Sequence, residues 1–437
     1  MTQLAVIADD LTGANDTAVQ FAKRNISNCV RINFDQPKLA HEMADVVVID
    51  TNSRDINAIE AYQKVKQTCE KLQDSGIVHI YKKIDSTLRG NLGAEIEAAA
   101  SVFLPTVVII APAFPGNQRI TIGGCHFLDG VPIALTEMAH APKSPINESQ
   151  IIDILREQTD VLIGLISLET VKQGVAQIAL AIRQCLKRDE KWIVFDAAED
   201  KHLGYIVEAA KAYKQLLWVG SAGLAEYLPS IYQWKASKRA VGIQTSGPIL
   251  IVAGSVSKTT QTQIQEVLTH TKINLIKLNA AGLLENQSEE IKRCAKSVNS
   301  LLKKGSDVLL ASATLDADVK QAIEAGIKYK LAGSEVSEYT AHALGEVAKT
   351  VVGSHLAGVI LTGGDTAIHV CKALGAEGIE ILEEVAMGIP LGRLVGGSCS
   401  GLQVITKAGA FGGSNSFIQA MDAIRKVKEH EDIKESM

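Results

Sequence analysis

Two α/β domains with mostly parallel sheets are the fold that this sequence predicts, and three observations predict it. Short β-branched runs alternate with longer helical patterns along almost the whole chain. Ala, Val, Ile, Leu and Gly are abundant while aromatics make up only 4%, a composition suited to buried parallel strands joined to helices by tight turns. The rhythm also stops once, at a polar stretch past the midpoint, and then restarts. A chain of 437 residues is long enough for two such domains.

In the first half the strand candidates are Leu4–Ala8, Val46–Asp50, Val78–Lys82, Val107–Ala111, Val161–Ile166, Trp192–Phe195 and Leu216–Val219. Helical patterns such as Ala14–Arg24, Asn57–Ser75 and Leu92–Val102 lie between them. The stretch "AEYLPSIYQWKASKRAVGIQTSGP" reads as a linker within Trp234–Gly247, which sets domains at 1–235 and 248–437 with 236–247 joining them. New strands follow at Ile249–Ala253, Ile273–Leu278, Val308–Ala311 and Gly358–Thr362. The glycine-rich run from Ile379 to Gly413 predicts an antiparallel extension of the second sheet, and a helix over Ser416–Glu429 closes the chain before a charged, fraying end. A cleft between two such domains is where an active site is expected.

Composition excludes several classes. A net charge of −5 gives no basic excess for binding nucleic acid. No apolar stretch is long enough to span a bilayer, and Asp9 and Asp10 interrupt any signal-like segment, so no membrane partner and a cytoplasmic location are expected. The seven cysteines are scattered without a CxxC pair, so neither a disulfide framework nor a zinc site is indicated, and no metal ligand set can be named.

Ligands of open parallel sheets bind outside the carboxyl ends of the strands. Here those ends are rich in side chains with specific geometry. Leu4–Ala8 runs into Asp9 and Asp10; "VVVIDTNSRD" ends in Asp50, Asn52, Ser53 and Arg54. "VHIYKKIDSTLRGN" supplies Lys82, Lys83, Asp85 and Arg89, and "VVIIAPAFPGNQRIT" supplies Asn117 and Arg119. If these strands are neighbours, one rim gathers cations around Asp9, Asp10 and Asp85, which suits a small anionic ligand bearing hydroxyls. The bland reading is a set of balanced charges on polar strand ends, with Thr12 and Asp16 capping the first helix. In the second half, "VAGSVSKTT", "LTGGDTA" and "VITKAGAFGG" are glycine turns, two of them at strand-to-helix junctions where backbone N–H groups attract phosphate. A nucleotide is plausible there. No GxGxxG follows the first strand, which argues against a dinucleotide.

The strings "IADDLTGANDTAVQFA", "YKKIDSTLRGNLGAEIEA", "APAFPGNQRITIGGCHFLDGVPI", "VGSAGLAEYLP", "VAGSVSKTT", "LTGGDTA", "EVAMGIPLG" and "VITKAGAFG" run in order over nearly the whole chain. In them the sequence resembles the four-carbon acid sugar kinases, which phosphorylate threonate, erythronate and oxo-tetronates with ATP. The resemblance implies a sugar acid on the first domain, contacted by Asp10, Arg54, Lys82, Lys83, Ile84 and Asp85. It implies ATP on the second, contacted by Ser255, Gly363, Gly364, Asp365, Thr366 and Gly409. Asp10 is then the candidate to deprotonate the 4-hydroxyl, with Asp9 holding the turn or assisting Mg²⁺, and Arg54 with Lys82 or Lys83 binding carboxylate and hydroxyls. Asp365 is a candidate Mg²⁺ contact, direct or through water. Asn15 in "GANDTAVQ" is similar to the D-threonate branch. D-erythronate, L-threonate and oxo-tetronates are the alternative substrates, and a homodimer is left open. Two positions depart from the family's pattern: Ala141-Pro142 stands where Asp-Pro is common, and Ala410 where a second glycine is common. A rival of another class is a non-catalytic sugar-acid sensor, which has no need of the glycine turns. An NAD-dependent dehydrogenase lacks its fingerprint.

Overall fold

Buried β-branched runs form the strands, as their burial along every residue shows for Leu4–Ala8, Val107–Ala111 and Ile249–Ala253. The computed structural model describes residues 2–32, 44–140, 144–232, 234, 246–353 and 355–426. Most of the stretch read as a linker lies outside the described residues, as do Ala141-Pro142, the end of the last helix beyond Lys426 and the charged tail. The described residues fall into two compact units. One comes from the first 238 residues, less a short piece around Arg31, and the other from the remainder together with that piece.

The first unit carries β1 (Leu4–Ala8), β2 (Asn28–Arg31), β3 (Val46–Asp50), β4 (Ile80–Lys83), β5 (Val107–Ala111), β6 (Arg119–Ile122), β7 (Cys125–Leu128), β8 (Val131–Pro132), β9 (Ile163–Ile166), β10 (Trp192–Phe195) and β11 (Leu216–Gly220). Its main sheet has the order β2-β3-β1-β4-β11-β5-β10-β9, and every pairing from β3 to β9 is parallel. The strands bearing polar ends are therefore not all neighbours: β11 stands between β4 and β5. The backbone is tight there, because a Cβ on Gly220 would come within 2.6 Å of the Ala111 carbonyl oxygen. A separate antiparallel sheet, β6-β7-β8, follows β5. The buried Asp196 holds its β6–β7 turn by accepting from the N–H groups of Gly123 (2.6 Å) and Gly124 (2.9 Å).

The second unit carries β12 (Ile249–Ala253), β13 (Asn274–Lys277), β14 (Val308–Ala311), β15 (Gly358–Thr362), β16 (Gly378–Ala386), β17 (Ile389–Val395) and β18 (Gln403–Lys407). They lie in the order β13-β14-β12-β15-β18-β17-β16. The sheet is parallel from β13 to β18, and β17 and β16 extend it in antiparallel fashion. Strands β12, β15 and β18, whose ends bear the three glycine turns, are consecutive in this sheet. No helix among the described residues is long and apolar enough to cross a membrane.

Candidate functional site

Two carboxylates in a row at the end of a buried strand need a cation, and Arg54 supplies it. Its Nε and Nη2 donate to Asp9 Oδ2 (2.7 Å) and Oδ1 (2.9 Å), while Nη1 and Nη2 donate to Asp10 Oδ2 (2.8 Å) and Oδ1 (2.6 Å). Of the five N–H donors of a guanidinium, one is left for anything else. The backbone delivers Arg54 to this place: the N–H groups of Ser53 and Arg54 both donate to the Asp9 carbonyl oxygen. Asn91 reinforces the loop by donating to the carbonyls of Ser53 (3.0 Å) and Ile56 (2.8 Å).

The two acids differ in surroundings. Asp9 has a side chain 4% exposed, whereas that of Asp10 is 24% exposed. Burial raises the Asp9 carboxyl, but the charge and hydrogen bonds of Arg54, with Lys82 and Lys83, outweigh it and hold the group below its usual range. Burial raises Asp10 too, and with the charges of Asp9 and Asp85 it prevails over Arg54 and Lys83, so this carboxyl sits above its usual range. Asp10 also caps the helix Leu11–Ala22, its Oδ1 accepting from the N–H of Gly13 at 2.8 Å. Gly13 is small for a local reason: a Cβ there would lie 2.6 Å from Lys83 Nζ and 2.7 Å from Asp10 Oδ1.

Register completes the rim. Ala8 at the end of β1 is opposite Asp50 on one side and Lys83 on the other. Asp85 lies 3.8 Å from Arg54 Nη2 and accepts from Arg89 Nε at 2.5 Å and Thr87 Oγ1 at 2.5 Å. Burial opposes its charge, but Arg54 and Arg89 hold its carboxyl far below the ordinary range. Successive residues of a strand face opposite sides. Lys83 accordingly faces the helix Leu11–Ala22, and Lys82 faces the helix Leu92–Phe103, where its ammonium is fully buried. There Lys82 donates to Glu95 Oε2 (2.6 Å) and to the carbonyls of Ile7 (3.2 Å) and Lys83 (2.8 Å), which uses all three of its donors. Ile84 is buried, with its N–H on the Gly220 carbonyl at 2.9 Å. The structure thus brings Asp10, Arg54, Lys83 and Asp85 together and turns the Lys82 ammonium into the core. Arg119 is on the β6–β7 hairpin, which His126 pins to the Ser86 carbonyl through Nε2 at 2.9 Å. Burial lowers His126 to about 4, and the Ser86 carbonyl and the Asp85 charge only partly oppose this.

Glu95 and Asp50 are the site residues that the sequence reading left unassigned. Glu95 had a signal: an acid on the apolar stripe Leu92, Ile96 and Ala99 of its helix needs a buried partner. Asp50 ends β3 beside the acid pair. Burial raises it to about 7, with the charges of Asp10 and Asp9 adding to this against the Asn52 N–H and Arg54.

In the second unit the three glycine turns meet. A Cβ on Gly409 would lie 2.0 Å from Ser255 Oγ, and one on Gly363 would lie 3.4 Å from the Ser255 nitrogen and 3.3 Å from Thr366 Oγ1. Ser257 caps the helix Lys258–His270 and donates to the Gly409 carbonyl at 2.8 Å. Lys407 is buried beneath the last turn and donates to the carbonyls of Ala408 (2.9 Å), Gly409 (3.2 Å) and Phe411 (3.1 Å); burial lowers it to about 8. Gly364 and Asp365 begin the helix Gly364–Ala373, exposed to solvent. Two adjacent helix N-termini over a floor of glycines fit a phosphate chain. Of the paired glycines, only Gly363 has a backbone that side chains resist, with φ +101°. A Cβ on Gly364 would meet open space. Among the described residues no cluster of three or more His, Cys, Asp or Glu side chains could hold a metal ion alone.

Two family models match this chain. Residues 4–228 match the model of a sugar-binding N-terminal domain, and residues 250–417 that of a nucleotide-binding C-terminal domain. The chain is 34% identical to the D-threonate kinase of Salmonella typhimurium, over 97% of this chain and 99% of that one. It is 30% identical to the D-erythronate kinase of Heliobacterium modesticaldum, over 97% of each. It is 28% identical to the 3-oxo-tetronate kinase of Pseudomonas fluorescens, over 96% of each. A solved Haemophilus influenzae protein, HI1011, shares the fold, with a TM-score of 0.76 and 23% identity over 96% of this chain and 100% of that one. The chain belongs to the four-carbon acid sugar kinase family.

Two outcomes follow from the geometry. The folded Asp50 carboxyl, at about 7, lies above its ordinary value of 3.8, so between those values the unfolded chain releases a proton that the folded chain keeps. Its contribution to stability is complete at the acid end of that window and is lost as pH rises through 7. Asp50→Asn removes the titration. The melting temperature of the variant relative to wild type should therefore climb between pH 4.5 and pH 8, by on the order of 5 °C. A constant difference would place Asp50 outside the coupled acid cluster. The second outcome concerns the paired glycines. Gly363→Ala should lower the melting temperature, since a left-handed backbone costs a side chain roughly 1–2 kcal/mol. Gly364→Val should leave the melting temperature within about 2 °C yet weaken Mg-ATP by at least about tenfold in calorimetry. Undiminished ATP affinity in Gly364→Val would mean that the open face of this turn carries no phosphate.

Proposed function

We propose that this chain transfers the γ-phosphoryl group of ATP to the 4-hydroxyl of a four-carbon sugar acid, with D-threonate as the preferred acceptor. The observation that carries the chemistry is the unequal pair at the end of β1. Asp9 is buried and held charged by Arg54, while Asp10 is more exposed and its carboxyl is raised. A raised carboxylate within reach of solvent is suited to take the hydroxyl proton, and a fixed one is suited to hold the arginine. Arg54 then serves first to orient Asp10 and offers its remaining N–H to the substrate. Lys83 and Arg89, the latter 32% exposed in its side chain, are the cations placed to meet the substrate carboxylate.

On the second unit, Ser255, Gly363, Gly364, Thr366 and Gly409 form the phosphate floor, and the helix that begins at Gly364 directs its N-terminus at the phosphates. Mg²⁺ bound with the nucleotide would neutralise phosphate charge, with Asp365 at the exposed helix start as its protein contact. The preference for D-threonate over D-erythronate is supported by the Salmonella relative and by the "GANDTAVQ" segment. These acids differ only in the placement of a hydroxyl, so the preference must come from the hydrogen-bonding rim.

The test is an ADP-release assay across D- and L-threonate, D- and L-erythronate and the oxo-tetronates. D-Threonate is expected to give the highest kcat/KM, and a higher value for another acid would reassign the substrate. Asp10→Asn should retain the helix cap and sugar-acid binding but lose about 10²–10⁴-fold in kcat. A variant keeping more than about a tenth of wild-type kcat, a loss of only ~1.4 kcal/mol, would show that the proton goes elsewhere.

A further inference from the structure

We propose that His126 is a positioning residue for the acceptor: through the Ser86 carbonyl it fixes the turn that carries Asp85 and Arg89, and so sets the grip on the sugar acid. This rests on the reading of the ends of β1 and β4 as the sugar-acid site.

The turn needs a hold from outside. It closes with the N–H of Leu88 donating to the Asp85 carbonyl at 3.0 Å, and it places Leu88 in the left-handed region, with φ +61°. A leucine resists that conformation, so the surroundings must impose it. Two anchors lie at the ends of the turn. Leu88 is buried in the core, and Asp85 accepts from Thr87 and Arg89. The Ser86 carbonyl lies between these anchors, and His126 Nε2 meets it at 2.9 Å.

His126 can fix the turn because it is itself fixed. A carbonyl oxygen only accepts, so Nε2 carries the proton and donates. Burial lowers the ring to about 4 and keeps it neutral at pH 7, so Nδ1 is an acceptor, and the Thr121 hydroxyl donates to it at 3.0 Å. Thr121 and His126 are cross-strand partners on β6 and β7, and both residues are fully buried. Thr121 exchanges backbone hydrogen bonds with Ala197 (2.9 and 3.0 Å), and the His126 N–H donates to the Ser149 carbonyl at 2.8 Å. Asp196 holds the Gly123–Gly124 turn of the same hairpin. Asp196 and Ala197 follow β10, which is three strand spacings from β4, about 14 Å. The hairpin therefore spans the carboxyl ends of β11 and β5 and carries a rigid frame from β10 to the turn after β4.

Positioning and packing part company in what a shorter side chain loses. Asn puts its amide where Nδ1 sits, so it still meets Thr121 but falls short of Ser86. Gln reaches the place of Nε2 and can donate to the Ser86 carbonyl. The test measures ADP release by the full chain, with the four-carbon acid that wild type turns over fastest, on His126→Asn, His126→Gln and Thr121→Val. His126→Asn should raise KM for the acid by about tenfold, the scale of one lost hydrogen bond, while KM for ATP stays within about twofold. His126→Gln should bring KM for the acid back to within about threefold of wild type. An unchanged acid KM in His126→Asn, an equal rise in both KM values, or an equal loss in His126→Gln overturns the positioning role and leaves the sugar-acid site standing. Failure of wild type to turn over any four-carbon acid overturns the sugar-acid reading, and the positioning role with it. If His126→Asn does not fold, Thr121→Val decides, since it keeps the side chain's shape and removes only the donor to Nδ1. A rise in its acid KM of at least about threefold at constant ATP KM supports the role, and an unchanged acid KM overturns it.

Discussion

Arg54 is the residue on which the polar rim at the end of β1 depends. Adjacent carboxylates at a buried strand end repel each other and resist desolvation, and one guanidinium that grips both, with Lys82 and Lys83 nearby, offsets this for Asp9 and Asp10. The rest of the rim is arranged around that grip. Gly90 passes so close to Arg54 that a Cβ would lie 3.1 Å from its Cγ, and Asn91 ties down the loop that carries it. Asp50 and Asp85 lie in the same field with opposite outcomes. Asp85 has two arginines and stays charged, while Asp50 is raised by burial and by the charges of Asp10 and Asp9.

Much of this was legible in the sequence because parallel strands buried on both faces read as continuous apolar runs. The end of such a run is visible, and so were Asp9, Asp10, Arg54, Lys83 and Asp85. Sheet order was less visible. Chain order suggests that β5 follows β4, but β11, more than a hundred residues further on, lies between them. The strand β2 was missed because "NCVR" is short and mixed, and the β6–β7 hairpin because its strands are only half-buried. The direction of Lys82 follows from the period of a strand, but only once the buried partner Glu95 is known to lie on that side.

In the second unit the glycine turns were readable as turns, whereas their convergence is a property of topology. Strands β12, β15 and β18 are about 45 to 155 residues apart in the chain yet consecutive in the sheet, so three unremarkable turns become one floor. Sequence alone did not separate Gly363 from Gly364. The first is needed by the backbone and the second leaves room in front of it, a distinction that only φ and the surrounding space supply.

The Lys82–Glu95 pair constrains how this chain can diverge. With both groups sealed in the core, losing either partner strands a full charge at a cost of roughly 3–5 kcal/mol, a large part of the stability of an ordinary domain. Exchanging both for apolar residues of similar volume can be nearly neutral. The two positions, thirteen residues apart, are therefore separated from an uncharged core by a valley that single substitutions must cross. Lineages should hold the pair or lose it whole, with few intermediates surviving. Because Lys82 also braces the end of β1 through the Ile7 carbonyl, any lineage that does cross must find another way to hold the strand beneath Asp9.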